Sequence, residues 1–171
     1  MLQFETAIGT CGLTWNDVGL TGVFLPGDRE LKRPTQTGAD ATQLPPPSIV
    51  AARDGICALL SGEPADLSQI PLDHSLVDGL QAEVLSEIRR LAPGELTTYG
   101  EIARALGRPN DARAVGAALG RNPWPIVVPC HRVLAADGSL HGFSAPGGIA
   151  TKRKMLEIER APGFDQPSLF A

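Results

Sequence analysis

Residues 122–133 of the chain read NPWPIVVPCHRV, a stretch in which prolines and apolar residues lead to a cysteine and a histidine. The prolines fix an extended approach, and the apolar run 126–128 predicts a short buried strand. Pro129 suits the first position of a helical turn, which places Cys130 near a helix N-terminus. Because His131 follows directly, we expect a positive local field that favours the thiolate form of Cys130.

Cys130 differs from the other two cysteines because a proton acceptor stands next to it. Neighbouring residues at a helix start diverge by about 100°, so one water can bridge the thiol and the imidazole. An imidazole that acts as a base in this way needs a carboxylate on its other nitrogen. Cys11 and Cys57 are interpreted as inert core residues. Three widely spaced cysteines form no disulfide framework, which favours a reducing compartment.

Length and composition exclude several classes of protein. The chain has 171 residues, 43% of them hydrophobic and 20% charged, which predicts one folded domain or two small ones. No apolar run approaches the ~20 residues of a membrane-spanning helix, and the first residues lack the pattern of a signal peptide. The formal net charge of −4 argues against non-specific coating of nucleic acid, but it allows a local basic face.

Charge divides the chain into two parts. Residues 1–74 carry 4 basic and 9 acidic side chains, whereas residues 75–171 carry 11 and 10. The basic run 152–154 and the other cations of the second part fit either an ordinary solvated surface or a basic face. We therefore expect a domain boundary near residue 74.

The first part predicts a small α/β unit. Short β-rich stretches at 12–15 and 19–25 flank an Asn-Asp turn, and the Pro- and Gly-rich residues 26–48 predict a long surface loop. Apolar residues at helical spacing predict a helix over 49–60. Another strand is expected around 67–72.

The second part predicts a helical unit. Apolar residues at 3.6-residue spacing predict a helix over 80–91, and the pattern Thr-x-x-Glu at 98–101 is typical of a capping box that opens the next helix. Asn110 or Asp111 caps a further helix over 112–119. Two short helices joined by a tight turn form the helix-turn-helix pattern, which also occurs in proteins that bind nothing.

The second helix of this pair consists almost entirely of small residues. This composition allows either close packing on a neighbour or close approach of the backbone to a ligand. Arg113 is its only long polar side chain. It either forms a salt bridge or enters a DNA duplex beside a narrow groove.

Residues 129–133, PCHRV, together with the preceding Asn122-Pro123, resemble the active-site signature of the O6-alkylguanine-DNA alkyltransferases, the methylated-DNA–protein-cysteine methyltransferase family. The resemblance is strong over about residues 80–160 and weaker at 6–9 and 19–20. Its further motifs are TYGEIA at 98–103, ARAVG at 112–116, GFS at 142–144, GG at 147–148 and KRKMLEIE at 152–159.

This resemblance implies a mixed α/β (α+β) fold with two domains. Residues 1–74 would form a ribonuclease-H-like β-sheet domain with a helix, and residues 75–171 a winged helix-turn-helix domain that binds DNA and holds the active site. It also implies a DNA repair activity: the alkyl group of O6-alkylguanine in double-stranded DNA passes irreversibly, in a single turnover, to Cys130 after the damaged base is flipped out.

The resemblance assigns the chemistry to a few residues. His131 draws the thiol proton through water, Glu159 rather than the nearby Glu157 orients the imidazole, and Asn122 braces the turn that holds Cys130.

The resemblance also assigns the DNA contacts. Tyr99 donates to guanine N3, and Arg113 takes the space of the extruded nucleotide. The carbonyls of Cys130 and Val133 accept from the guanine amino group, and the Ser144 amide contacts O6. The small residues expected at the DNA surface are Ala112, Ala114 and Gly116.

Several positions depart from the family pattern. Phe143 stands where a tyrosine is more usual, and residues 145–146 lengthen the loop that follows. Asp111 brings a negative charge near the expected DNA face, although it stabilises a helix as a cap. Cys11, Cys57 and His74 form no zinc site, so we expect no metal and no cofactor. A cytoplasmic monomer is expected, associated with the nucleus if the source is eukaryotic.

Two other functions fit parts of the sequence. A non-catalytic helix-turn-helix protein that senses alkylated DNA or regulates transcription would bind without covalent change. A cysteine hydrolase would need an oxyanion hole, and the direct adjacency of Cys130 and His131 is atypical of that class.

Overall fold

The computed structural model describes residues 1–32 and 44–165. The strands are β1 (Leu2–Thr6), β2 (Gly9–Trp15), β3 (Leu20–Phe24), β4 (Thr97–Thr98) and β5 (Val133–Leu134). The helices are α1 (Pro47–Leu60), α2 (Gly79–Ile88), α3 (Tyr99–Ala105), α4 (Ala112–Leu119) and α5 (Gly148–Ile158). Three short 3₁₀ turns cover Arg29–Lys32, His74–Leu76 and Cys130–Arg132. The mixed α/β fold is confirmed.

The N-terminal half is a three-stranded antiparallel sheet in the order β1-β2-β3, with α1 packed against β1 and β2. The buried face of α1 consists of the apolar residues expected from their spacing: Ile49, Ala52, Ile56, Leu59 and Leu60. Sequence reasoning missed β1. The sequence signal for this strand was an alternating pattern over Leu2–Thr6. Gln3 and Glu5 are exposed, and their neighbours are half-buried.

The expected strand around 67–72 is wrong. Its one ladder contact is an isolated bridge between Leu20 and Leu72. Pro71 cannot donate to a ladder, and the Asp66 and Asp73 carboxylates instead accept from amide groups two residues ahead. Local turns therefore replace the strand. Residues 33–43 of the expected surface loop lie outside the described residues, and 29–32 form a 3₁₀ turn.

The helix-turn-helix pair is present as α3 and α4, and α4 packs on both α2 and α3. Thr98 and Glu101 form both halves of the capping box: the Glu101 amide donates to Thr98 Oγ1 at 3.2 Å, and the Thr98 amide donates to the Glu101 carboxylate at 2.8 Å. Asp111 is the residue before α4, but its side chain makes no capping hydrogen bond. Asp111 is thus the N-cap residue, one of the two positions expected, but it adds no capping hydrogen bond from its side chain.

The stretch 126–128 is buried but is not a strand. The Val128 amide donates to Trp124 O at 2.8 Å, and Ile126 has φ = 74°, so the segment is a turn. The Asn122 side chain accepts from the Trp124 amide at 2.9 Å and donates to Val128 O at 2.8 Å. A side chain thus supplies the partners that a neighbouring strand would supply.

One hydrophobic core runs through both halves and fixes this turn to the sheet. Trp124 is 1% exposed, and its indole N–H donates to Leu20 O at 2.8 Å. The Val23 amide donates to Pro123 O at 2.9 Å. Strand β3 therefore positions the loop that precedes Cys130. No helix within the described ranges has the length and apolarity to cross a membrane.

Candidate active site

Cys130 begins the 3₁₀ turn Cys130–Arg132 and lines a cavity of about 230 Å³. Pro129 precedes the turn rather than occupying its first position, so the expectation for Pro129 is wrong by one residue. The cavity brings together four residues singled out in the sequence: Tyr99, Asn122, Cys130 and Ser144. Cys130 therefore borders a space that a ligand can enter.

His131 lies next to Cys130 but its side chain is buried. Its Nε2 lies 2.8 Å from Oε1 of Glu159, and the two side chains are 1% and 2% exposed. Nδ1 is buried and has no hydrogen-bond partner among the described residues. The structure thus joins Glu159, rather than Glu157, to the imidazole and leaves the second ring nitrogen to accept a proton.

Arg132 completes a buried ion cluster around Glu159. Its Nε donates to Oε2 at 2.9 Å, its Nη2 to Oε1 at 2.7 Å, and its Nη1 to Leu91 O at 2.5 Å. The Gly94 amide also donates to Oε2, at 3.1 Å. Although burial opposes it, donation from His131 and Arg132 lowers the pKa of Glu159 to about 2. The carboxylate is therefore charged at neutral pH.

The expectation that the local field makes Cys130 a thiolate is wrong. Desolvation raises the pKa of the Cys130 thiol above its ordinary value, and the Asn122 amide and the Lys152 charge only partly oppose this. Burial outweighs the local field, to which a one-turn 3₁₀ segment contributes little of the dipole of a full helix. Burial also lowers the pKa of His131, so the imidazole is held in its neutral, proton-accepting form.

Lys152 is part of the site, although the sequence reading treated it with the surface cations. Its side chain is 0% exposed, and its Nζ donates to Val133 O at 2.6 Å and to His141 O at 3.3 Å. Burial lowers the pKa of Lys152 to about 8. The sequence pattern that could have predicted the burial of Lys152 is helical spacing. Lys152 precedes the buried Met155 and Leu156 by three and four residues in α5 and so lies on the same face.

Tyr99 connects the cavity to the loop that follows β5. Its hydroxyl donates to His141 O at 2.9 Å, and Lys152 Nζ lies 5.9 Å from its ring centroid. Burial and the nearby Cys130 raise the pKa of the phenol, which keeps it a donor. A Cβ on Gly116 would lie 3.7 Å from the Tyr99 ring, so α4 approaches this side of the cavity closely.

Ser144 is held at the cavity by a hydrogen bond from its Oγ to Gly120 O at 2.9 Å. Phe143 also lines the cavity, and it lacks the hydroxyl that the more usual tyrosine would bring to this position. The Val133 carbonyl already accepts from Lys152. The Ser144 hydroxyl and the Val133 carbonyl are thus each held by a hydrogen bond to another part of the chain before any ligand arrives.

Arg113 lies on the exposed side of α4 beside the exposed Ala114, while Ala112 and Gly116 are half-buried. Among the described residues Arg113 forms no salt bridge, so the ion-pair interpretation of this side chain finds no partner there. The helix therefore presents a flat surface of small residues with one long cation.

Comparison with known proteins identifies the family of this chain. The family model of the 6-O-methylguanine DNA methyltransferase, DNA binding domain, matches residues 79–161. A methylated-DNA–protein-cysteine methyltransferase of Mycolicibacterium paratuberculosis is 34% identical over 164 residues, which are 94% of this chain and 93% of that protein. The chain belongs to the methylated-DNA–protein-cysteine methyltransferase family.

Two further members of this family extend the comparison. The Haemophilus influenzae protein is 41% identical over 106 residues, but the match spans only 58% of that protein and 62% of this chain. The crystal structure of Mycobacterium tuberculosis OGT in complex with DNA is 35% identical in sequence and has a TM-score of 0.70. The match covers 95% of this chain and 94% of that one. The methyltransferase fold therefore extends over both halves of the chain.

The expected absence of a metal in this methyltransferase stays a prediction. Over residues 1–32 and 44–165, no three His, Cys, Asp or Glu side chains lie close enough to hold an ion. Cys11 is buried against Thr6, and Cys57 is half-buried near Glu5 O. Both are free thiols on the sheet side of the molecule and do not line the Cys130 cavity.

Proposed function

We propose that the protein repairs O6-alkylguanine in double-stranded DNA by transferring the alkyl group to Cys130, once per molecule. One observation carries this proposal: Cys130 lines a cavity beside an imidazole that Glu159 holds by one nitrogen while the other nitrogen is free to accept a proton. Nucleophilic attack by a thiol on an alkyl carbon needs this combination of thiol, base and space.

His131 acts as the base through a water that bridges Nδ1 and the Cys130 thiol. Burial keeps the imidazole neutral before the reaction, so it is able to accept the proton. Glu159 then stabilises the imidazolium, and Arg132 keeps Glu159 ionised. The proton moves from sulfur to His131 while the charge cluster stays in place.

Thiolate abundance is not the source of the rate. A thiol of ordinary pKa is only about 3% ionised at pH 7, and the Cys130 pKa is raised further. Lowering the pKa would also reduce the nucleophilicity of the sulfur, with a slope of ~0.4–0.5 in disulfide exchange. Acceleration comes instead from holding the alkyl carbon in line with sulfur, for which effective molarities reach ~10⁵ M or more.

The reaction forms a sulfur–carbon bond and breaks the bond between that carbon and guanine O6. The electron pair of the broken bond returns to the base, which takes up a proton and regains its keto form. Donation from Tyr99 to guanine N3 stabilises the departing base, in exchange for the hydrogen bond that this hydroxyl makes to His141 O. The thioether product ends the activity because the described site offers no group to cleave it.

The exposed face of α4 is the proposed DNA surface. Its small residues, Ala112, Ala114 and Gly116, allow the backbone to approach the duplex, and Arg113 fills the space of the flipped nucleotide. Extrusion of a base costs a few kcal/mol, and less for a damaged pair. The flipped guanine enters the cavity between Tyr99 and Ser144, where the Ser144 amide contacts O6 and the Cys130 and Val133 carbonyls accept from its amino group.

We extend the proposal to organisation and location. Residues 1–74 and 75–171 are proposed as two domains that share the continuous core. Three free cysteines are typical of a reducing compartment, which supports a cytoplasmic location, and we further propose that the protein is a monomer.

Intact mass spectrometry tests the function. Incubation with a duplex oligonucleotide containing one O6-methylguanine should add one methylene unit to the protein, localised to the Cys130 peptide. Cys130→Ala should bind the duplex without the mass change. Cys57→Ala is the matched control because it also removes a half-buried thiol, and it should still show the mass change. Binding with unchanged mass would favour a non-catalytic damage sensor, and multiple turnover of an ester substrate would favour a hydrolase.

A further inference from the structure

The N-terminal half contributes a turn to the wall of the Cys130 cavity. The sequence Leu25-Pro26-Gly27-Asp28 has proline second and glycine third, as a type II turn requires. The turn is closed by donation from the Asp28 amide to Leu25 O at 3.0 Å, and Gly27 has φ = +95°. Asp28 Oδ2 accepts from the Leu25 amide at 2.6 Å, which fixes the carboxylate.

This turn is braced on both sides. Strand β3, which leads into it, is joined to the loop before Cys130 by the hydrogen bond between the Val23 amide and Pro123 O. On the other side, a Cβ on Gly27 would lie 3.0 Å from Pro146 Cβ, so the turn touches the lengthened loop that follows Ser144. The wall is therefore a rigid contact between the two halves and not a free surface loop.

The cavity lining separates into two chemical types. Tyr99 and Ser144 provide hydroxyl groups on the side of α3, α4 and the loop after β5, which is the side where we propose that the polar edge of the base binds. Val23 and the prolines of the Cys130 loop provide apolar surface near the turn. Among the described residues of the lining, Asp28 is the one with a carboxylate. The positively charged Lys152 donates a hydrogen bond to Val133 O and is not among the residues that line the cavity.

We propose that Asp28 is a specificity-determining residue that selects O6-alkyl groups by charge. A methyl group needs only to reach the sulfur, whereas a longer group occupies more of the cavity, whose lining includes Asp28. The half-buried carboxylate repels an anionic substituent such as carboxymethyl and accepts neutral groups such as hydroxyethyl. This inference rests on the proposed function, because it takes the cavity to be the alkyl site.

Single-turnover rate constants on three duplexes test the proposal. Each duplex carries one O6-methyl, O6-(2-hydroxyethyl) or O6-carboxymethyl guanine, so the last two differ in charge at similar size. Asp28→Asn keeps the shape of the side chain and an acceptor for the Leu25 amide, and Asp28→Glu keeps the charge. Asp17→Asn, in the exposed turn between β2 and β3, is the control for net charge.

Asp28→Asn should raise the rate constant for carboxymethyl transfer about fivefold or more while changing methyl and hydroxyethyl transfer less than about twofold. Asp28→Glu should retain the discrimination of the natural protein, and Asp17→Asn should leave all three rates unchanged. Equal effects on all three substrates, or no effect of Asp28→Asn, would overturn the role of Asp28. Absence of methyl transfer by the natural protein would instead overturn the proposed function.

Discussion

Nε2 of His131 lies 2.8 Å from Oε1 of Glu159, and both side chains are almost fully excluded from water. The same carboxylate also accepts two hydrogen bonds from Arg132. This arrangement keeps the base in a fixed orientation beside Cys130. It also makes folding and the proposed chemistry depend on one buried charge.

Removing the charge of Glu159 should lower both the stability of the fold and the rate of alkyl transfer. Glu159→Gln leaves the guanidinium of Arg132 buried without its counter-ion, which we expect to lower the free energy of unfolding by about 3 kcal/mol. The rate of alkyl transfer should fall by more than tenfold at a temperature where the variant is folded. Urea denaturation and single-turnover kinetics measure the two effects. Glu157→Gln, two residues earlier, is the matched control and should change neither.

Acid should destabilise the protein through the same residue. The pKa of Glu159 is lowered from an ordinary 4.5 to about 2, so the folded state binds its proton more weakly than the unfolded chain. The resulting stability is present above pH ~4.5 and is lost as the pH falls towards 2, amounting to about 3 kcal/mol. The lowered pKa of His131 acts in the same direction. The urea midpoint should decrease as the pH is lowered from 6 to 2, and it should decrease less in Glu159→Gln. An identical dependence on pH in the variant would contradict the assignment to Glu159.

Lys152 should influence the reactivity of Cys130. Its buried ammonium lowers the pKa of the thiol, so Lys152→Met should raise that pKa further and slow alkylation of Cys130 by iodoacetamide about three- to tenfold at pH 7. The variant also loses the donor to Val133 O and His141 O. Mass spectrometry of the Cys130 peptide across pH 6 to 10 measures the rate. Lys154→Met, an exposed position of the same helix, should leave the profile unchanged.

Arg113 should matter for duplex DNA and not for the chemistry. Arg113→Ala removes the side chain proposed to fill the extruded nucleotide's place, so transfer from a duplex should slow about tenfold while transfer from free O6-methylguanine changes less than about twofold. Competition kinetics with the two substrates measure the ratio. Arg90→Ala removes another exposed cation, one that pairs with Glu87 at 3.3 Å, and should affect neither rate. Equal losses on both substrates in Arg113→Ala would contradict a role in base flipping.

Local patterns in the sequence predicted several elements accurately. The capping box at Thr98 and Glu101, the buried face of α1 and the helix pair formed by α3 and α4 depend on residues a few positions apart, and they appear as expected. The strands expected at 67–72 and 126–128 failed because side chains, such as that of Asn122, supply the hydrogen bonds that a ladder would have made. Apolar content alone does not distinguish a buried turn from a buried strand.

The chain order by itself determined the identity of the reactive pair, since Cys130 and His131 are neighbours. The family resemblance also pointed to Glu159, but only the tertiary structure brings Glu159 against His131 and Asp28 into the lining of the Cys130 cavity. Glu159 lies 28 residues from His131, and the wall formed by Asp28 comes from the other half of the chain. The ionisation of Cys130, His131 and Lys152 was decided in the same way, because the pKa of each depends on how much water the assembled core excludes.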